Sequence, residues 1–122
     1  MTASRALVVK VTCGTESLER LNQAFTVAAT AVASGVPVSL WLTGDASWMA
    51  VPGRAEEVEL AHAADLADLR DAVLAGGTVT VCGQCAARRD LIGADLVDGV
   101  VIRGAAAFVE EVTAAGAQAL VY

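Results

Sequence analysis

The hydrophobic positions of the chain form short runs rich in β-branched residues, and these runs alternate with segments in which apolar residues recur at helical spacing. The runs predict strands at 5–12, 36–43, 78–81, 99–102 and 118–122. The helical spacing predicts helices at 18–34, 66–75, 84–91 and 105–115. Because strand and helix alternate to the end of the chain, we expect an open α/β fold, with a mainly parallel sheet and helices on both faces.

Two segments are ambiguous in this pattern. Residues 44–49 fit either a loop or a short helix, and residues 54–62 fit either a short edge strand or the approach to the next helix. In the last helix, the spacing of Phe108, Val109 and Val112 predicts that these three side chains point inward.

An uncharged stretch from Leu21 to Gly44 is long enough to suggest a membrane span. Polar residues recur along its first half, and Gly35-Val36-Pro37 interrupts it. A buried helix followed by a buried strand explains the stretch better, so we expect no membrane partner.

Composition and charge narrow the function classes. The chain has 122 residues, of which 56% are hydrophobic and 4% aromatic, so we expect a single domain over 1–122 with a core of small aliphatic side chains. The net charge of −6 argues against nucleic acid as a partner, since such binding requires concentrated Lys and Arg. Three cysteines without a signal-peptide pattern favour a cytoplasmic protein with reduced thiols.

We expect the chemistry at the strand-to-helix turn Cys82-Gly83-Gln84-Cys85. Ligand sites of parallel sheets lie beyond the carboxyl ends of the strands, so Cys13, Asp45 and Cys82 should share one edge. A helix N-terminus and nearby cations, here Arg88 and Arg89, lower the pKa of a cysteine and favour the nucleophilic thiolate. We therefore predict Cys82 as the reactive thiol, and Cys85 as a helper that attacks a persulfide or sulfenate on Cys82.

Other interpretations of the same residues stay open. Cys13 is more simply explained as a buried cysteine at a strand end, and His62 as a solvated surface residue. A zinc site that combines the Cys-x-x-Cys pair with Cys13 and His62 lacks a second cysteine pair, so no metal or cofactor is expected. The remaining alternatives are a thiol–disulfide oxidoreductase that uses the Cys-x-x-Cys pair and a non-catalytic assembly subunit.

Three segments, in order and at matching spacing, resemble the DsrE/DsrF-like family. Cys13-Gly14-Thr15-Glu16-Ser17-Leu18 is similar to the Gly-Ser-Glu-Ser-Leu start of the family's first helix. Residues 81–89 resemble its Cys-x-x-Cys element with a following Arg, and residues 95–102 resemble the segment that leads into its last helix and strand. The similarity covers nearly the whole chain. It is stronger to the YchN-type members than to the sulfur-relay subunit TusD.

The resemblance implies a three-layer α/β/α fold with a five-stranded, mainly parallel sheet, and a homo-oligomer, commonly a trimer or hexamer. It also implies a sulfur carrier that accepts sulfane sulfur as a persulfide on Cys82 and exchanges it with a donor or acceptor protein. Auxiliary positions are predicted at Cys13, Gly14, Asp45, Gly83, Gln84 and Arg88. The chain departs from the family at Asp90, where a Gly usually follows the Arg, so the turn after the short helix differs in sequence from the family pattern.

Overall fold

The computed structural model describes residues 5–122, which form a five-stranded sheet flanked by helices. The strands are β1 (Ala6–Val11), β2 (Val38–Leu42), β3 (Thr78–Cys82), β4 (Val101–Arg103) and β5 (Ala117–Val121). The helices are α1 (Leu18–Ala33), α2 (Leu66–Gly76), α3 (Gly83–Arg88) and α4 (Ala105–Val112). Every predicted strand and helix is present, with its ends shifted by a few residues at most.

The strands are all parallel and lie in the order β4–β3–β2–β1–β5. From β1 to β4 the chain steps across the sheet in one direction, and after α4 it returns to the other side of β1. Right-handed crossovers therefore place the connections after β1, β2 and β3 on one face and α4 on the opposite face. The predicted parallel α/β/α architecture is confirmed.

Successive residues of each strand point to opposite faces of the sheet. Val9, Leu40 and Val81 join a buried cluster with Leu21 and Phe25 of α1. Because fully burying an aliphatic or aromatic side chain contributes about 1.5–3 kcal/mol, this cluster gives the sheet a rigid base on the α1 face.

Helix α4 covers the opposite face incompletely. The Trp41 ring meets Phe108 edge to face, with centroids 5.3 Å apart, and Trp41 Nε1 donates a hydrogen bond to Glu111 Oε1 at 3.1 Å. The prediction that Val109 points inward is wrong, since 54% of its surface is exposed. Val109 lies about 100° around the helix from Phe108, and within residues 5–122 no other helix covers that side.

The two ambiguous segments form 3₁₀ turns. Gly44–Ala50 is a 3₁₀ helix directly after β2, and Ala55–Glu57 is a shorter one, while the alternative of an edge strand within 54–62 is not adopted. The buried Arg70 of α2 secures this region by donating hydrogen bonds to the Met49 carbonyl at 3.1 Å and to the Glu56 carboxylate at 3.2 Å. None of the helices within residues 5–122 has the length and hydropathy needed to cross a membrane.

Candidate functional site

Cys82 lies where the topology predicts a crevice between two neighbouring strands. It ends β3 and pairs with Arg103 of β4 in the sheet register. Helix α3 follows β3 on the α1 face, where Ala86 joins the buried cluster, whereas α4 follows β4 on the opposite face. Parallel strands whose connections leave to opposite faces open a crevice at their carboxyl ends, and ligands bind there in sheets of this type. The thiol predicted from the sequence therefore stands where the topology favours a site.

The surroundings of the Cys82 thiol favour its ionised form. Burial raises the pKa of this partly exposed thiol. Hydrogen bonds from the backbone N–H groups of Cys85 and Gln84 and from the Cys85 thiol lower the pKa, and the charge of Lys10 lowers it further. The lowering effects prevail, so the pKa of Cys82 lies below the ordinary value for cysteine. At neutral pH, a larger fraction of Cys82 than of an ordinary cysteine is therefore thiolate, the nucleophilic form.

Cys85 is the covered partner of Cys82, with only 8% of its surface exposed. Its Sγ accepts a hydrogen bond from the Gly44 N–H at 3.2 Å, and its thiol donates to Cys82. Gly44 has a φ of 54°, and a Cβ at this position would lie 2.7 Å from the Thr12 carbonyl oxygen. Any other residue would strain the backbone and clash with Thr12, so the turn that brings this amide to Cys85 requires glycine.

A cavity of about 60 Å³ adjoins Cys82 on the α4 face. Its walls are Lys10, Trp41, Thr43, Cys82, Ala105 and Phe108. The Lys10 ammonium lies 5.0 Å from the centre of the Phe108 ring, in a cation–π contact. The sequence pattern did not predict Lys10 as a site residue. A signal was present, since Lys10 is the only lysine of the chain and interrupts an apolar strand.

Cys13 lies at the same edge of the sheet but on the α1 side. Its side chain is 4% exposed and belongs to the buried cluster. Burial raises the pKa of the Cys13 thiol and the charge of Glu16 raises it further, against the opposing charge of Arg20. This environment favours the neutral thiol, which matches the interpretation of Cys13 as a buried strand-end cysteine.

An ion pair ties the loop after β2 to the Cys-x-x-Cys helix. Arg89 donates to Asp45 Oδ1 at 2.6 Å and to the Cys85 carbonyl at 3.0 Å. Gly14 packs on the same loop, since a Cβ at this position would lie 2.7 Å from the Asp45 Cβ. Gly14 and Asp45 therefore support the position of α3.

The other predicted auxiliary residues contribute unequally. Gln84 acts through its backbone N–H, while its side chain is exposed. Gly83 leaves room for a Cβ, whose nearest neighbour would be 3.6 Å away. Arg88 is exposed, and its neighbour Arg89 makes the contact with Asp45. The sequence does not distinguish the two arginines, because their directions depend on where α3 ends.

The turn after α3 accounts for the departure from the family at Asp90. Asp90 has a φ of 54°, in the left-handed region that glycine adopts most easily. Its N–H donates to the Ala87 carbonyl at 3.2 Å, and the Leu91 N–H donates to the Ala86 carbonyl at 2.9 Å, as in a Schellman cap. Asp is among the residues that tolerate this conformation best, so the same turn forms with Asp in place of Gly.

The other candidate features lie apart from Cys82. His62 is exposed, and within residues 5–122 no three His, Cys, Asp or Glu side chains converge as metal ligands. Two larger clefts, of about 370 and 400 Å³, border the segment around Val58 and Glu59. Neither is lined by a cysteine, so neither offers the thiol chemistry of the cavity beside Cys82.

The fold and the site define a class of protein: a parallel α/β domain that presents a thiol of lowered pKa at the carboxyl end of a strand. The chain belongs to the DsrE/DsrF-like family, whose sequence profile matches residues 6–120. The family resemblance inferred from the three motifs is thereby confirmed.

Solved structures share this fold over almost their whole length. The ychN protein from E. coli superposes with a TM-score of 0.79 at 19% identity, covering 98% of this chain and 100% of that one. MTH1491 from Methanobacterium thermoautotrophicum gives 0.66 at 13%, with 97% and 99% covered, and BT1422 from Bacteroides thetaiotaomicron gives 0.63 at 15%, with 100% and 98% covered. Both of these are described as proteins of unknown function. Identities this low show a common fold alone, and no curated protein matches the chain.

Proposed function

We propose that the protein is a sulfur carrier of a reducing compartment such as the cytoplasm, which holds sulfane sulfur as a persulfide on Cys82. The observation that carries the proposal is the environment of Cys82, a partly exposed thiol that accepts hydrogen bonds from two backbone N–H groups and from the Cys85 thiol. Donors that stabilise the thiolate make Cys82 available as the nucleophile that attacks a donor persulfide. Cys82 further matches the position of the sulfur-accepting cysteine in the sulfur-relay proteins that the sequence resembles.

The transfer requires no external oxidant. The Cys82 thiolate attacks the outer sulfur of a donor persulfide, R–S–SH, and the new S–S bond forms as the donor's S–S bond breaks. The donor leaves as the thiolate R–S⁻, and the proton of the transferred sulfur passes to water, which leaves a perthiolate on Cys82. Attack by an acceptor thiolate on the outer sulfur reverses these steps. Attack by Cys85 on the inner sulfur, with the Cys85 thiol proton passing to the leaving sulfur, instead releases HS⁻ and leaves a Cys82–Cys85 disulfide.

Sulfur loading tests the proposal directly. After incubation with a cysteine desulfurase and free cysteine, the intact mass of the wild-type protein should increase by one sulfur atom. The Cys82→Ser variant should gain none, whereas Cys13→Ser, which removes a buried thiol from the same chain, should load like the wild type. No added sulfur on the wild type, or equal addition to Cys82→Ser, contradicts the proposal.

A second candidate function is thiol–disulfide exchange by Cys82 and Cys85. The hydrogen bond from the Cys85 thiol that lowers the pKa of Cys82 supports it, because exchange requires a nucleophilic thiolate with a second thiol beside it. Equilibration in glutathione buffers, followed by alkylation and mass measurement, gives the reduction potential of the pair. A disulfide that forms within roughly −320 to −200 mV, the range of cytosolic poise, favours the redox function. A dithiol throughout this range removes it.

We also propose that the protein assembles with copies of itself as a trimer or hexamer. The exposed apolar side chains of Val109 in α4 and Val121 in β5, at 54% and 65%, support association. Light scattering coupled to size-exclusion chromatography measures the state, and a monomer at micromolar concentration contradicts the proposal. If the oligomer forms but Cys82 loads no sulfur, the alternative of a non-catalytic assembly subunit is favoured.

A further inference from the structure

Lys10 has no role in the transfer steps above. We propose that Lys10 and the cavity beside Cys82 form an anion subsite, which receives the negatively charged outer sulfur of the Cys82 persulfide. This inference rests on the proposed function and names the residue that holds the transferred atom. Lys10 is then a catalytic residue, since it contacts the atom that moves.

Lys10 and Cys82 reach this cavity from different strands. Lys10 pairs with Trp41 in the register of β1 and β2, and Cys82 ends β3 on the far side of β2. Neighbouring strands lie about 4.8 Å apart, so a long side chain is needed to bridge the two positions. Both residues line the cavity of about 60 Å³, roughly twice the volume of one water molecule. The space accommodates one added sulfur atom.

The Phe108 ring holds the Lys10 ammonium in place, but no ion pair within residues 5–122 neutralises its charge. The ammonium lies 5.0 Å from the centre of the Phe108 ring. Glu111 of α4 accepts the hydrogen bond of Trp41 Nε1. Of the other cations at this edge, Arg103 of β4 is exposed, and Arg89 is paired with Asp45. A partly buried cation without a counter-ion is unfavourable, and an anion in the cavity removes that penalty.

The negative charge moves outward when the persulfide forms. The hydrogen bonds from the N–H groups of Gln84 and Cys85 act on Sγ of Cys82, which becomes the inner sulfur. The outer sulfur is bonded about 2 Å further on and carries the charge of the perthiolate. The turn at the end of β3 therefore stabilises the attacking thiolate, and Lys10 stabilises the product.

Alkylation with two matched reagents tests the subsite without any sulfur donor. Iodoacetate and iodoacetamide displace iodide from the same thiolate and are similar in size, but only iodoacetate is an anion. Their rate ratio at Cys82 therefore cancels changes in the thiolate fraction and reports the local charge. We expect Lys10→Met to lower the ratio of iodoacetate to iodoacetamide rates several-fold, and Lys10→Arg to retain most of it. Arg5→Met, which removes one exposed cation at the amino end of the sheet, should leave it unchanged.

An unchanged ratio in Lys10→Met, or an equal fall in Arg5→Met, overturns the subsite. If Lys10→Met fails to fold, the wild-type protein provides the test. Salt at about 1 M shortens the screening length to roughly 3 Å and should lower the wild-type ratio of iodoacetate to iodoacetamide rates. A ratio that does not change with salt overturns the subsite. The outcome is separable from that of sulfur loading. A chain that shows the Lys10-dependent ratio but gains no sulfur retains the anion subsite and loses the sulfur-carrier proposal.

Discussion

Replacing Cys85 by alanine should raise the pKa of Cys82 and slow its reactions at neutral pH. The Cys85 thiol donates a hydrogen bond to Cys82, and alanine removes this donor while the backbone N–H of residue 85 remains. Cys85→Ser is the matched control, because its hydroxyl can donate from the same position.

The size of the effect follows from the strength of the lost bond. A hydrogen bond to a charged group contributes about 1.5–3 kcal/mol, and a thiol is a weak donor, so roughly 1 kcal/mol is expected here. Since a tenfold change in an equilibrium corresponds to about 1.4 kcal/mol, the proton affinity of Cys82 should increase roughly five-fold, which raises its pKa. Below both pKa values, the thiolate fraction then falls about five-fold.

The measurement is the ultraviolet absorbance of the thiolate as a function of pH, with Cys82→Ser as the baseline. Alkylation rates with iodoacetamide over the same pH range provide an independent midpoint. An unchanged midpoint in Cys85→Ala, or an equal rise in Cys85→Ser, would refute the role of Cys85 as a donor. Unfolding in urea adds a second readout: Cys85→Ala leaves the Gly44 N–H without its acceptor and should lose about 1–3 kcal/mol of stability.

Three further changes test contacts near the site and in the 3₁₀ region after β2. Gly14→Ala should lower the free energy of unfolding in urea by about 1–3 kcal/mol, because the new Cβ would lie 2.7 Å from the Asp45 Cβ; an unchanged urea midpoint contradicts this close packing. Asp90→Gly should raise the free energy of unfolding by about 0.5 kcal/mol, because a φ of 54° strains any residue but glycine; a fall in the thermal midpoint would mean that the Asp90 side chain itself stabilises the turn. For Glu56, burial raises the pKa, but hydrogen bonds from Arg70 and from backbone N–H groups outweigh it, so the pKa lies below its ordinary value. The pair with Arg70 therefore stabilises the protein above about pH 4.3, and this stabilisation is lost as the pH falls through the folded pKa. Glu56→Gln should be less stable than the wild type at neutral pH and equally stable in acid. A stability difference that does not change with pH contradicts this.

The secondary structure could be predicted because its causes are local. The β-branched runs around Val9 and Val79 are buried strands, and the helical spacing from Leu18 to Val32 gives α1. The prediction for Val109 was wrong, because spacing shows that a helix has an apolar side but not whether a neighbour covers it. The segment 54–62 was ambiguous because its conformation depends on the buried Arg70, a tertiary contact from α2.

Part of the candidate site could likewise be predicted from the sequence, and part depended on tertiary contacts. Cys82 was predicted as the reactive thiol because its hydrogen-bond donors, the N–H groups of Gln84 and Cys85, follow within three residues along the chain. Arg88 and Arg89 were both predicted to add charge, and Arg88 was predicted as the auxiliary residue, whereas Arg89 contacts Asp45 and Lys10 lines the cavity. The directions of these side chains depend on where α3 ends and on which strands become neighbours.

The sequence by itself determined the order of strands and helices, the family, and the turn that places a cysteine at the end of β3. These depend on residues close together in the chain, whose effects are the same wherever the segment lies. Only the tertiary structure decided that Cys13 and Cys82 lie on opposite faces of the sheet, and that Lys10 of β1 shares a cavity with Cys82. Both follow from the parallel register of β1, β2 and β3, because pairing aligns the strands residue by residue and alternation then assigns each side chain to a face.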